Sequence, residues 1–197
     1  ALSESREASL KDALLDRIRR REVVVGVIGL GYVGLPLALV YEEAGFSVRG
    51  FDVDAAKVDA LARGESYIRH IGPDRVAEAV SRGRFSATAD FEALSACDAI
   101  LICVPTPLGR HREPDIGFIR RTADEVASRA RPGQLVVLES TTYPGTTREE
   151  VLPRLASRGL RCGEDVFVAF SPERENPENP RFHTRNIPKV VDGINKP

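Results

Sequence analysis

Short apolar runs rich in β-branched residues recur along the chain, and most are followed by a stretch in which apolar residues return every three or four positions. The runs read as strands covered on both faces, and the stretches as helices with one apolar stripe. Their alternation predicts an α/β fold, a doubly wound and mostly parallel Rossmann sheet with helices on both faces. The first strand reads Val23 to Ile28, a helix follows from about Tyr32 to Ala44, and Gly45 supplies its left-handed stop. Strand two is Ser47 to Asp52, and the next helix, from about Asp54 to Arg63, ends at Gly64. After an irregular stretch from Gly64 to Asp74 come a helix from Arg75 to Arg82 and a short strand at Phe85 to Thr88. Strand four is the unbroken run Ala99 to Val104, stopped where Pro105 and Pro107 remove ladder donors. A helix from about Asp115 to Ala130, strand five at Gln134 to Leu138, a helix from about Thr146 to Arg158 and strand six at Val166 to Phe170 complete the alternation. A last strand-like piece lies at Lys189 to Val191. Ahead of all this, Leu10, Leu14 and Ile18 share one stripe, so residues 1–21 are expected to form an extra N-terminal helix packed on the domain, with Ser9 and Asp12 as a capping box. Residues 22–197 then make one domain.

Composition narrows the function classes. A length of 197 residues admits one well-buried domain, and 42% hydrophobic with 29% charged residues excludes a disordered chain. A net charge of -1 removes the bulk attraction that nucleic acid or an anionic membrane would supply, so neither is expected as a partner. Three cysteines, Cys97, Cys103 and Cys162, without CxxC spacing encode neither a disulfide framework nor a zinc site, which fits a reducing cytoplasm. No apolar run of about 18 residues and no signal-peptide core occurs, so neither a span nor an export signal is expected. Arginine outnumbers lysine 24 to 4, which reads as codon bias and not as phosphate recognition.

The strongest chemical signal is GxGxxG at Gly29, Gly31 and Gly34, directly after a strand and opening a helix. The first glycine permits the tight turn, the second lets a diphosphate approach the backbone, and the third lets helix and strand pack closely; the helix N-terminus adds free N–H groups. Asp52 lies at the end of strand two, 18 residues after Gly34, where a carboxylate accepts from both hydroxyls of an adenosine ribose and repels a 2′-phosphate. NAD is therefore the expected cofactor, in preference to NADP. Asp54 competes for this role but reads better as the N-cap of the following helix. Lys57, one turn into that helix, either reaches the adenosine side or is solvated.

Ligands of a doubly wound sheet sit beyond the carboxyl ends of the strands, near the point where strand order reverses. The segments to read are therefore Val104-Pro105-Thr106-Pro107, Glu139 to Gly145, and Ser171 to Arg174. They are rich in hydroxyls and prolines, with one carboxylate each in the second and third, which suits fixed polar loops over a cofactor.

The runs VGVIGLGYVGLPLA, GFDVD followed by Lys57, ICVPTPL, ESTTYPGTT and FSPER, in this order and spacing, resemble the NAD-binding domain of the nucleotide-sugar 6-dehydrogenases over about residues 20 to 192. Within that family, which includes the UDP-glucose and UDP-N-acetylhexosamine enzymes, Gly64 to Ile71 and Ser171 to Pro177 look closest to the UDP-N-acetylglucosamine or N-acetylmannosamine branch. The resemblance implies oxidation of a sugar C6 alcohol to a carboxylate in two steps, with two NAD reduced and a thioester on a catalytic cysteine, for surface polysaccharide precursors in a bacterium. It implies that Gly29, Gly31, Tyr32, Val33 and Gly34 hold the diphosphate and that Asp52 and Lys57 hold the adenosine ribose. Val104, Pro105, Thr106, Ser140 and Thr141 would lie along the cofactor, Thr141 would position a water near the reacting carbon, and Glu173 would act as acid or base. A second glutamate of the UDP-glucose branch is replaced here by Pro177, which lowers UDP-glucose as a substrate. The family's nucleophilic cysteine, its catalytic lysine and asparagine, its central helix and its UDP-binding domain have no counterpart in these 197 residues. The chain is thus expected to bind NAD without turning over, as the cofactor half of a homo-oligomeric parent enzyme whose UDP-sugar needs the other half. The alternatives are a UDP-glucose 6-dehydrogenase parent, a stand-alone NAD-binding module, or a small dehydrogenase of another kind, for which no Tyr-x-x-x-Lys is present and His70, His111 and His183 all fall in loops.

Overall fold

The computed structural model describes residues 2–69, 71–108, 114–172 and 189–194. Its centre is one seven-stranded sheet of β1 (Val24–Ile28), β2 (Ser47–Phe51), β3 (Phe85–Thr88), β4 (Ala99–Ile102), β5 (Leu135–Leu138), β6 (Phe167–Phe170) and β7 (Asp192–Gly193), in the order β3-β2-β1-β4-β5-β6-β7. The first six run parallel and β7 pairs antiparallel to β6. The doubly wound, mostly parallel fold is the one the alternation of patterns predicts. From β1 the chain moves outward to β2 and β3, then returns to place β4 on the other side of β1, so order reverses between β1 and β4.

Helices cover both faces because the strands are apolar on both. On one face α1 (Leu2–Arg19), α2 (Gly34–Glu43), α3 (Ala55–Ala62) and α4 (Pro73–Ser81) deliver Leu14, Leu35, Leu39, Leu61 and Val76 onto Val25, Val27 and Val48. On the other, α5 (Gly117–Arg129) and α6 (Leu152–Ser157) bring Ile119, Val126 and Leu155 against Ile100, Ile102 and Leu138. Each such fully buried aliphatic side chain contributes on the order of 1.5–3 kcal/mol. The N-terminal edge is closed by buried Asp98, which accepts from Arg17 of α1, from Arg131 and from the Val24 N–H. Burial opposes the charge on Asp98, but these donors outweigh it and hold its pKa below the usual carboxylate value.

Several local expectations are corrected. Ser9 does not open a helix with Asp12, because α1 begins at Leu2; no glycine or proline interrupts residues 2–19, so nothing stops the helix from extending through Ser9. The long helix expected from Thr146 starts as a π-helical turn, Thr147–Val151, before α6: Pro153 has no N–H to give and its ring would meet the carbonyl four residues earlier. A 3-10 helix, Phe91–Ala96, occupies a segment with no predicted element, and Asp90 caps it by accepting from the Glu92 N–H at 3.0 Å. The last strand lies at Asp192–Gly193, not Lys189 to Val191. Burial sets that register: Ile194 is sunk into the core and donates its N–H to the Val168 carbonyl, while Val190 and Val191 stay exposed.

Candidate functional site

At the reversal point a cleft of ≈ 940 Å³ opens beyond the carboxyl ends of β1, β2, β4 and β5. Gly29, Gly31, Tyr32, Val33, Asp52, Lys57, Val104, Pro105, Thr106, Ser140 and Thr141 all line it, so eleven of the thirteen residues singled out above for cofactor or catalysis come together. Gly34 supports the cleft from behind, and Glu173 lies outside the described residues, as do His70, His111 and His183.

The three glycines differ in what they make possible. Gly29 has φ +91°, and a Cβ there would stand 2.7 Å from the Cys103 carbonyl oxygen, so neither conformation nor space admits a side chain. A Cβ on Gly34 would stand 1.8 Å from the Gly29 carbonyl oxygen; α2 is pressed directly onto the turn. At Gly31 a Cβ would meet nothing within 4 Å, and the N–H has no acceptor among the described residues. Gly31 thus leaves an open cradle at the helix N-terminus, with room for an anion of diphosphate size.

Asp52 is 7% exposed and faces this cradle from the end of β2. Its Oδ2 accepts from the Leu30 N–H at 2.9 Å and from Lys57 Nζ at 3.2 Å, and its Oδ1 accepts from the Asp54 N–H at 3.0 Å. A carboxylate offers about four acceptor positions, so three are engaged and one on Oδ1 remains for a ligand. Asp54 is the N-cap of α3, accepting from the Ala56 N–H. Asp54 thus caps α3 while also lining the cleft, as Lys57 does.

Across the cleft the loops after β4 and β5 brace each other. The Thr106 hydroxyl donates to the Thr141 carbonyl at 2.7 Å, and the Ser140 hydroxyl donates to the Val104 carbonyl at 2.8 Å. The Ser140 hydroxyl, which also lies 3.2 Å from the Ile102 carbonyl, is 4% exposed and shapes the wall. The Thr141 side chain is exposed to the cleft. Buried Glu139, next in the wall, is ion-paired with Lys189.

Sequence reasoning missed part of the lining. Phe91, Phe118, Arg121 and Arg129 form the outer wall, with the Arg121 guanidinium 4.8 Å above the Phe118 ring and Arg129 held by Glu92 and Glu125. Phe91 packs on Phe51, ring centroids 5.7 Å apart. These residues come from α5 and the 3-10 helix, and no local pattern distinguishes such positions from ordinary helix surface. Burial pushes the Cys97 thiol up to about 11 and raises that of Cys162, which makes both poorer nucleophiles than a free thiol, and Cys97 is fully enclosed; Cys103 lines the cleft. Among the described residues no three His, Cys, Asp or Glu side chains gather as metal ligands, and no helix is long and apolar enough to cross a membrane.

Residues 23–197 match the NAD binding domain of the UDP-glucose/GDP-mannose dehydrogenase family. The UDP-N-acetyl-D-glucosamine 6-dehydrogenase of Pseudomonas aeruginosa is 34% identical over 174 residues, which is 88% of this chain and 40% of that protein. The UDP-N-acetyl-D-mannosamine dehydrogenase of Pyrococcus horikoshii is 37% identical over 158 residues, covering 78% of this chain and 37% of that protein. The crystal structure of the NDP-N-acetyl-D-galactosaminuronic acid dehydrogenase of Methanosarcina mazei superposes with TM-score 0.80 at 32% identity, over 93% of this chain and 42% of that one. The chain spans about 40% of the length of the curated relatives it matches.

Proposed function

Because this chain belongs to the UDP-glucose/GDP-mannose dehydrogenase family, whose NAD-binding domain it matches, we propose that it is the cofactor half of an NAD-dependent UDP-N-acetylhexosamine 6-dehydrogenase. The parent oxidises the sugar C6 alcohol to a carboxylate, acts in the cytoplasm, assembles as a homo-oligomer, and binds its UDP-sugar with parts beyond the 22–197 cofactor domain. The relatives that carry an N-acetylhexosamine in their names support that substrate class over UDP-glucose.

The observation that carries the reading is the meeting, in one cleft, of the open cradle at Gly31 with the buried carboxylate of Asp52. NAD, when bound, supplies a hydride acceptor; everything else is done by the protein. N–H groups at Gly31, Tyr32 and Val33 take the diphosphate, and Gly29 and Gly34 let the backbone come close enough. Asp52 takes the adenosine ribose through its open Oδ1 position, and Oδ2 gains a second when the Lys57 ammonium turns to the ligand. Val104, Pro105 and Thr106 form the wall along the nicotinamide half, braced by Ser140. Thr141 orients the water that attacks the oxidised carbon, and Glu173 moves the proton.

Titration calorimetry tests the cofactor assignment. NAD should bind at least about tenfold more tightly than NADP, because a 2′-phosphate would sit against the Asp52 carboxylate. Equal affinities would overturn the assignment.

A further inference from the structure

Tyr67, in the irregular stretch after α3, donates its hydroxyl to the Leu30 carbonyl at 2.5 Å, inside the glycine turn. We infer that Tyr67 is a positioning residue for the diphosphate, locking the peptide between Leu30 and Gly31 so that the Gly31 N–H is held toward the cleft. The inference rests on the cofactor reading above and extends it to a residue outside the cleft lining.

The peptide plane carries the argument. In a planar trans peptide the C=O and N–H point in opposite directions, and no cis bond occurs among the described residues. With the Leu30 oxygen held by Tyr67, the Gly31 N–H points away from that bond, and Gly31 itself lines the cleft with open space around it. Leu30 is tied at its other end too, its N–H going to Asp52 Oδ2, and its side chain is fully buried. Gly31 itself has no side chain to choose between this plane and its flip. The flipped plane would aim a carbonyl dipole at an incoming anion.

Tyr67 is built for a fixed donor. Its loop is pinned by buried Ile68 and Ile71 and by Ser66, whose hydroxyl bonds with the Ile68 backbone. Its ring lies 6.0 Å from the Lys57 ammonium, which also contacts Asp52. Burial, with the charges of Asp52 and Asp54 adding, pushes the phenol further up, so it stays protonated at working pH.

The test compares ADP-ribose, which carries the diphosphate, with adenosine, which does not, on the unsubstituted chain, Tyr67→Phe and Ser66→Ala. Loss of one hydrogen bond that orients a donor should weaken ADP-ribose about five- to tenfold in Tyr67→Phe. Adenosine should stay within about twofold, and Ser66→Ala, which loosens the loop but keeps the phenol, should match the unsubstituted chain for both ligands. Unchanged ADP-ribose affinity in Tyr67→Phe, equal losses for adenosine, or an equal loss in Ser66→Ala would each overturn the inference while leaving the cofactor reading intact. Failure of the unsubstituted chain to bind ADP-ribose would overturn both.

Discussion

Replacing Asp52 by asparagine keeps size and shape and removes the charge, so its consequences follow from the hydrogen bonds in place. Asp52 receives N–H groups on both oxygens, Leu30 on Oδ2 and Asp54 on Oδ1. An asparagine has one carbonyl oxygen, and whichever way its amide turns, an NH₂ faces one of those donors. The folded chain loses one hydrogen bond and leaves a partly buried N–H unsatisfied, a cost of about 1–3 kcal/mol, or a fall in Tm of roughly 2–12 °C at this size. The ligand loses more than the fold does. Hydrogen bonds to a charged acceptor are each about 1.5–3 kcal/mol, so loss of one such bond to the ribose should weaken NAD by about 10- to 150-fold. NADP, which gained nothing from the carboxylate, should weaken less or bind better. Calorimetry with both dinucleotides on Asp52→Asn and Asp52→Ala, beside a thermal melt, reads these effects separately. An Asn variant that keeps a tenfold preference for NAD would refute the reasoning, because recognition of the ribose would then not run through this carboxylate.

Two further outcomes follow from groups whose surroundings are equally defined. Gly34→Ala places a Cβ 1.8 Å from the Gly29 oxygen, so α2 must back away from β1; a loss of about 3 kcal/mol or more and NAD binding too weak to measure at millimolar ligand are expected, and calorimetric binding near that of the unsubstituted chain would contradict the close packing. Asp98→Asn should cost about 2–4 kcal/mol at neutral pH by leaving two arginines facing a neutral group. Because the folded pKa of Asp98 is depressed, its contribution is complete above the ordinary value of 3.8 and is lost as pH falls through the depressed one. Denaturant unfolding curves of the two chains should therefore converge only in strong acid, and a constant gap down to the lowest pH would refute that role.

The sequence alone determined the layer architecture and the half of the site that is local in the chain. Runs such as Ala99 to Val104 are apolar without interruption because both of their faces are covered, and that pattern needs no tertiary knowledge to read. The same holds for Gly29, Gly31 and Gly34 and for Asp52, whose spacing is the length of one helix and one strand. Tertiary structure decided what depends on partners distant in sequence. The Ile194 side chain, sinking into the core, moved β7 past the apolar pair Val190–Val191; Phe91, Phe118 and Arg121 became cleft wall only when α5 and the 3-10 helix met across the sheet edge. The hydroxyl of Tyr67 found the Leu30 carbonyl 37 positions back. A periodic pattern records which face of an element is buried, but the atom that each side chain meets is set by the packing of whole layers, where a shift of one residue changes the neighbour without changing the pattern.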